Sequence, residues 1–217
     1  MLTFFASMEP GIEMLIAICS YVGVLMLSLS LHEFAHAHAA YVNGDNTPYN
    51  EGRLTINPFA HMDLYGCICC FIFGFGWAKP VRVNPLNYRN YKKGMIAVSL
   101  AGVTMNLFLA FIGCGIYTLL SIVPITNYFL YFIYFFSYFL FIMNISLAVF
   151  NLLPIHPLDG FMFLSTILRY ENKFIQFMHR YGSLILIILL IGFDGVLSLL
   201  IDLAIIPYTM FWNFVLR

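Results

Sequence analysis

The sequence predicts an α-helical polytopic membrane protein, and three observations carry that prediction. Hydrophobic residues make up 62% of the 217 and charged residues only 9%, against roughly 45–50% and about 25% in soluble domains. Uncharged apolar runs recur at lengths that cross a bilayer, which takes about 20 helical residues. Basic residues gather in the segments between those runs. Ten basic and ten acidic residues leave a formal charge of zero, so no nucleic-acid partner is expected. Five cysteines, an odd number in apolar sequence, argue against a disulfide framework. Cys67, Cys69 and Cys70 lack paired C-x-x-C spacing and read as packing residues.

Residues 12 to about 42 are expected as one long helix whose first part crosses the bilayer. Glu9 and Glu13 stand where a signal peptide carries basic residues, so this apolar run is expected to stay in the protein. The Asn43-Gly44-Asp45-Asn46-Thr47-Pro48 segment ends it. Residues 49–58 are expected as a small membrane-embedded or interfacial β element, with Arg53-Leu54-Thr55-Ile56 strand-like and able to offer an edge to an unwound peptide. Leu64 to Trp77 is apolar, broken by Gly66, Gly74 and Gly76, and too short to span, which suits a re-entrant segment. Two spanning helices follow at about 94–122 and 128–153, divided by Pro124-Ile125-Thr126-Asn127. The aromatic run from Tyr128 to Phe141 is read as a lipid-facing and packing surface. Phe161 to Leu168 is too short to cross. The last region, 181–206, contains Asp194 and Asp202 and is either one spanning helix or a shorter crossing followed by an interfacial helix.

The total is about four to six membrane segments in a single domain over 1–217, with its core at 12–160 and a C-terminal membrane segment at 181–206. Crossings at 12–42, 94–122, 128–153 and 181–206 put Arg53, Lys79, Arg82, Arg89, Lys92, Lys93, Arg169, Lys173 and Arg180 on one side, leaving only Arg217 opposite. That common side is expected to be cytoplasmic, with both termini outside.

Near the inner end of the first crossing stands His32-Glu33-Phe34-Ala35-His36. Residues four apart share a helix face, so both imidazoles can address one zinc ion, with Glu33 beside them as general base. A hydrolytic zinc needs a third protein ligand and an open fourth position. Asp159, following the third crossing at membrane depth, is the leading candidate, since an unpaired carboxylate there is costly. His38 points to another helix face, and His61, His156 and His179 are polar partners without a spacing argument. Asn151 and Asn106 are amides in apolar helices and are candidates for the neutral donor that meets an oxyanion.

The stretches HEFAHAHAAYVNGD, EGRLTINPFAHMD, GWAKPVRVNP, Ala101-Gly102-x-x-x-Asn106 and NLLPIHPLDG resemble the successive motifs of the site-2 protease family, from about His32 to Gly160. The likeness is to its compact bacterial and archaeal branch, which has neither a PDZ nor a CBS domain, and none is expected here. The resemblance implies one zinc per chain held by His32, His36 and Asp159, Glu33 as catalytic acid and base, and Asn151 as a substrate or oxyanion contact. It also implies an intramembrane endopeptidase that cuts transmembrane segments of other proteins in regulated intramembrane proteolysis, in the plasma membrane of a prokaryote. Val103, Cys67 and His156 depart from the family's usual proline, threonine and proline, and none of them removes a ligand or the base. The competing expectations are a catalytically silent membrane adaptor of the same fold and an ion-coupled transporter relaying through Glu33, Asp159, Asp194 and Asp202. The sequence is silent on substrate identity and oligomeric state.

Overall fold

A computed structural model describes residues 2–73, 78–168, 171–192 and 194–216. Gly74, Gly76, Trp77, Arg169 and Arg217 lie outside the described residues, as do the side chains of Cys67, Cys70 and Asp194. The helices are α1 (Leu2–Ala6), α2 (Ile12–Val42), α3 (Thr47–Asn50), α4 (Pro58–His61), α5 (Leu64–Phe73), α6 (Tyr91–Ser121), α7 (Tyr128–Asn151), α8 (Asp159–Leu168), α9 (Lys173–Gly192) and α10 (Asp194–Val215). Among the described residues, five helices are long and apolar enough to cross a membrane: α2, α6, α7 and the greater parts of α9 and α10. The chain is an integral membrane protein.

Asparagine side chains start several of these elements. Asn90 accepts from Lys93 N–H at 3.0 Å to open α6, and Asn127 accepts from Leu130 N–H at 2.9 Å to open α7. Each satisfies an amide that the first turn of a helix leaves unpaired. The core is the three-helix packing of α2, α6 and α7, with Tyr21, Val24, Phe139 and Ile145 essentially inaccessible. Between α6 and α7 the approach is close because of Gly113, where an added methyl would stand 2.7 Å from Phe141 N and 3.0 Å from Ser137 O. Small residues let helices touch in lipid, where hydrophobic association contributes little.

Several sequence expectations need correction. Residues 49–58 carry no strand: α3 ends at Asn50, a turn passes through Gly52 at φ +67°, and Pro58 opens α4. The backbone there bonds to side chains in place of a partner strand. Arg53 donates to the Ala60 carbonyl, and the Thr55 carbonyl lies 2.7 Å from His61 Nε2. The β pairing seen among the described residues is an isolated bridge between Met62 and Ala78. Leu64–Phe73 is a ten-residue helix, too short to span. The region 181–206 divides between α9, which ends at Gly192, and α10, which begins at Asp194; this agrees with the alternative of two helices, but the second of them, α10, is itself long and apolar enough to cross. Tyr208 hydroxyl reaches Leu107 O at 3.4 Å and Trp212 Nε1 reaches Phe111 O at 3.0 Å, so α10 runs parallel to α6. The aromatic run of α7 is divided as expected, with Tyr128 and Phe129 outward and Phe135, Phe139 and Phe141 buried. The short α1 was not foreseen; its Phe4 and Phe5 pack edge-on against Phe139 and Tyr21, respectively.

Candidate metal centre

The centre is built where the C-terminal half of α2 meets α6 and the start of α8. Helical spacing puts His32 and His36 on one face of α2, with their Nε2 atoms 3.0 Å apart. Asp159, the first residue of α8, brings Oδ2 to 3.4 Å from His32 Nε2 and 3.2 Å from His36 Nε2. The turn after Asn151, carrying Pro154 and Pro157, delivers it there. Among the described residues these three form the group of metal-ligating side chains whose ligand atoms converge.

Backbone contributions shape the pocket. The Val98 carbonyl of α6 lies 2.8 Å from His36 Nδ1. A proton held there leaves Nε2 with a free lone pair. One turn further along α6, Gly102 lies against both rings: an added methyl would stand within 3.0 Å of His32 Nδ1 and His36 Nε2. Asp159 Oδ2 is buried and receives no hydrogen bond among the described residues.

These observations test whether the residues fit a metal ion. Three electron-rich atoms at 3.0, 3.2 and 3.4 Å repel one another unless a proton or a metal cation lies between them. Tetrahedral zinc with ligands at about 2.0–2.1 Å has ligand-to-ligand edges of about 3.3–3.4 Å. The donor set, two imidazoles and one carboxylate, suits zinc, and the residues fit.

Glu33, next to His32, has its Oε2 held by Val81 N–H at 2.9 Å. Val81 belongs to the extended stretch that follows the Met62–Ala78 bridge. That stretch is anchored at its far end by Asp45, completely buried, whose carboxylate accepts from Asn84 N–H at 2.7 Å, Asn87 Nδ2 at 2.8 Å and Thr47 hydroxyl at 2.6 Å. Burial alone pushes the Asp45 pKa up, but the hydrogen bonds from Thr47, Asn84 and Asn87 outweigh it and hold the carboxyl below its usual range. A cavity of about 460 Å³ lies alongside, lined by Glu51, Arg53, Lys79, Pro80 and Arg82. None of His32, His36 and Asp159 lines it, so this charged surface and the centre are separate features.

The remaining candidates take other places. Asn151 turns back along α7, its Nδ2 donating to Leu147 O at 3.0 Å. Asn106 is completely buried. His61 is buried in the loop against Thr55 O, and His38 packs with Phe34. His156 and His179 face each other with ring centroids 4.9 Å apart, away from the ligand cluster. Burial first and the neighbouring His179 second push the His156 pKa down. Val81, Val98 and Gly102 were given no role at the sequence level, although Val81 and Gly102 stand within the quoted motifs: two act through backbone atoms and the third through having no side chain. A glycine within an apolar helix was the signal for Gly102.

No family model matches the chain, and no solved structure does. Among curated proteins, the chain is 39% identical over 139 residues to a Bacillus subtilis protein named "Putative zinc metalloprotease YwhC", covering 63% of this chain and 64% of that one. It is 33% identical over 185 residues to "Putative zinc metalloprotease Rip2" of Mycolicibacterium smegmatis, covering 79% and 69%. The Rip2 of Mycobacterium tuberculosis is 33% identical over 167 residues, covering 71% and 62%. The chain thus spans about two thirds of the length of the curated relatives it matches.

Proposed function

Because the chain belongs to the site-2 protease family of zinc metalloproteases, we propose that it is an intramembrane zinc endopeptidase, cutting transmembrane segments of other membrane proteins in regulated intramembrane proteolysis. The observation that carries this reading is the convergence of His32 Nε2, His36 Nε2 and Asp159 Oδ2 within 3.0–3.4 Å of one another, beside a carboxylate. One zinc per chain held by these three supplies Lewis-acid polarisation of the scissile carbonyl and acidifies water toward neutrality.

The chain's own groups do the rest. Val81 N–H fixes Glu33 Oε2, so the proton of the attacking water goes to Oε1 and returns from there to the leaving amine. Asn151, eight residues before Asp159, serves as the substrate or oxyanion contact, and its Nδ2 must leave Leu147 O to do so. Helices α2, α6 and α7 keep bulk water from the site, which strengthens each of these interactions. A substrate helix must unwind locally before a carbonyl can enter, because helical amides are closed by their own hydrogen bonds.

The basic segments support a cytoplasmic active site. Those between α2 and α6 and between α7 and α10 share one side when α6 and α10 run parallel, with α9 remaining on that side. Both termini then face outward. The bacterial relatives support a prokaryotic plasma membrane.

The test is zinc analysis of the purified full chain together with cleavage of a transmembrane substrate by wild type and Glu33→Gln. Zinc retained in both, with cleavage reduced about 10²–10⁴-fold in the variant, is expected for loss of a general base. Folded wild type without zinc, or undiminished cleavage by the variant, defeats the reading.

A further inference from the structure

His32 and His36 differ in what their second ring nitrogens meet. His36 Nδ1 faces the Val98 carbonyl, whereas His32 Nδ1 is buried and has no hydrogen-bond partner among the described residues. A histidine that offers Nε2 to a metal carries its proton on Nδ1, and that N–H normally meets a carboxylate, a carbonyl or a water. Asn106 on the facing helix has the complementary need. It is completely buried, and neither its Oδ1 nor its Nδ2 has a partner among the described residues. Buried polar groups without partners are costly, so each of these calls for one.

Helix register brings them together. Val98, Gly102 and Asn106 stand four apart on α6 and form one stripe. Helices α2 and α6 are antiparallel: Ala40 packs with Val98, and Leu25 and Leu29 share a core with Leu109. Val98 is therefore level with His36, Gly102 touches both rings, and Asn106 falls on the His32 side. Side chains lean toward the N-terminus of their helix, so the carboxamide leans back from position 106 toward Gly102 and the His32 ring that packs against it.

We propose that Asn106 is a positioning residue for His32, its Oδ1 accepting a hydrogen bond from one water that in turn accepts from His32 Nδ1–H. A buried water is stable with two or more polar partners, and this one has them. The bridge fixes the ring orientation and tautomer of His32, as the Val98 carbonyl does for His36. This assigns Asn106 to the metal centre and not to the oxyanion, since complete burial between helices keeps it from a substrate. The inference rests on the zinc reading above.

The experiment measures zinc affinity by chelator competition, and the visible absorption of bound Co²⁺, on full-length protein in detergent. Asn106→Leu is expected to weaken zinc binding about 10–100-fold and to alter the Co²⁺ bands. Asn106→Asp, which restores an oxygen acceptor, is expected to recover affinity, with bands shifted from wild type because a carboxylate makes His32 a stronger donor. Asn144→Leu removes an equally buried amide, one that bonds to Ser28 and Leu140, and is expected to leave affinity unchanged. Wild-type affinity in Asn106→Leu, or an equal loss in Asn144→Leu, overturns the proposal. Should Asn106→Leu fail to fold, unshifted Co²⁺ bands in Asn106→Asp overturn it. Failure of wild type to bind zinc defeats the metalloprotease reading itself.

Discussion

At Gly102 the helix α6 backbone passes so near the two imidazoles that a single methyl has nowhere to go. Gly102→Ala is therefore expected to push the rings apart and cost about tenfold or more in zinc affinity, the scale seen when support around a metal ligand is lost; chelator competition reads it directly. Residues of this kind set the limit of what the sequence discloses. His32, Glu33 and His36 are legible because a metal needs side chains on one helix face, and the spacing states it. Asp159 is legible because a carboxylate at membrane depth needs a reason. Val98 and Val81 act through a carbonyl and an amide that every residue possesses, so no residue type marks them out. Asn151 was legible as an amide out of place, but its present bond to Leu147 could not be read from composition.

Among the elements, the connection from α2 to α6 departs furthest from expectation, and the reason is local. Apolar alternation over Arg53 to Ile56 resembles a strand, yet Arg53 and His61 satisfy loop carbonyls by side chain, and no partner strand is needed. What organises this connection is the Asp45 carboxylate, which ties the end of α2 to the stretch leading back to Val81. Asp45→Ala strands Thr47, Asn84 and Asn87 donors at about 1–3 kcal/mol for each buried group. Hydrogen exchange at the Asn84 amide is expected to rise sharply, and a protection pattern identical to wild type would contradict this. The pH dependence follows from the sign of the shift. The folded Asp45 pKa lies below its unfolded value, so its stabilisation is complete above the ordinary aspartate pKa of about 3.9 and is lost as pH falls through that value and the lower folded one. Thermal unfolding measured from pH 6 downward should show Asp45→Ala converging on wild type only at the acid end.

For the whole molecule, the presence of long membrane-spanning helices was readable from hydropathy, since lipid penalises any alternative to a helix. The path of the C-terminal third was readable only in part, because Asp194 marks the division between α9 and α10 but composition does not tell a second spanning helix from an interfacial one. Helix α10 docks through Tyr208 and Trp212 on the α6 face around Leu107 to Gly115, away from Gly102. Gly115→Leu, which drives a side chain into the Trp212 ring, is expected to cost about 1–3 kcal/mol of thermal stability. Zinc content should remain at one per chain. Loss of zinc along with stability would show that α10 supports the centre after all.

The placement of Asp159 at the head of α8, beyond the two His-bearing turns of α2 and the whole of α6 and α7, sets an order of events in biosynthesis. The histidine pair is made first and, on the proposed reading, offers only two of three ligands until two further helices have been made. On the metal-centre reading proposed above, capture by three ligands becomes available only once residue 159 has been synthesised, after the helices that surround it. On that reading the long gap between ligands delays completion of the centre until the three-helix core has been made.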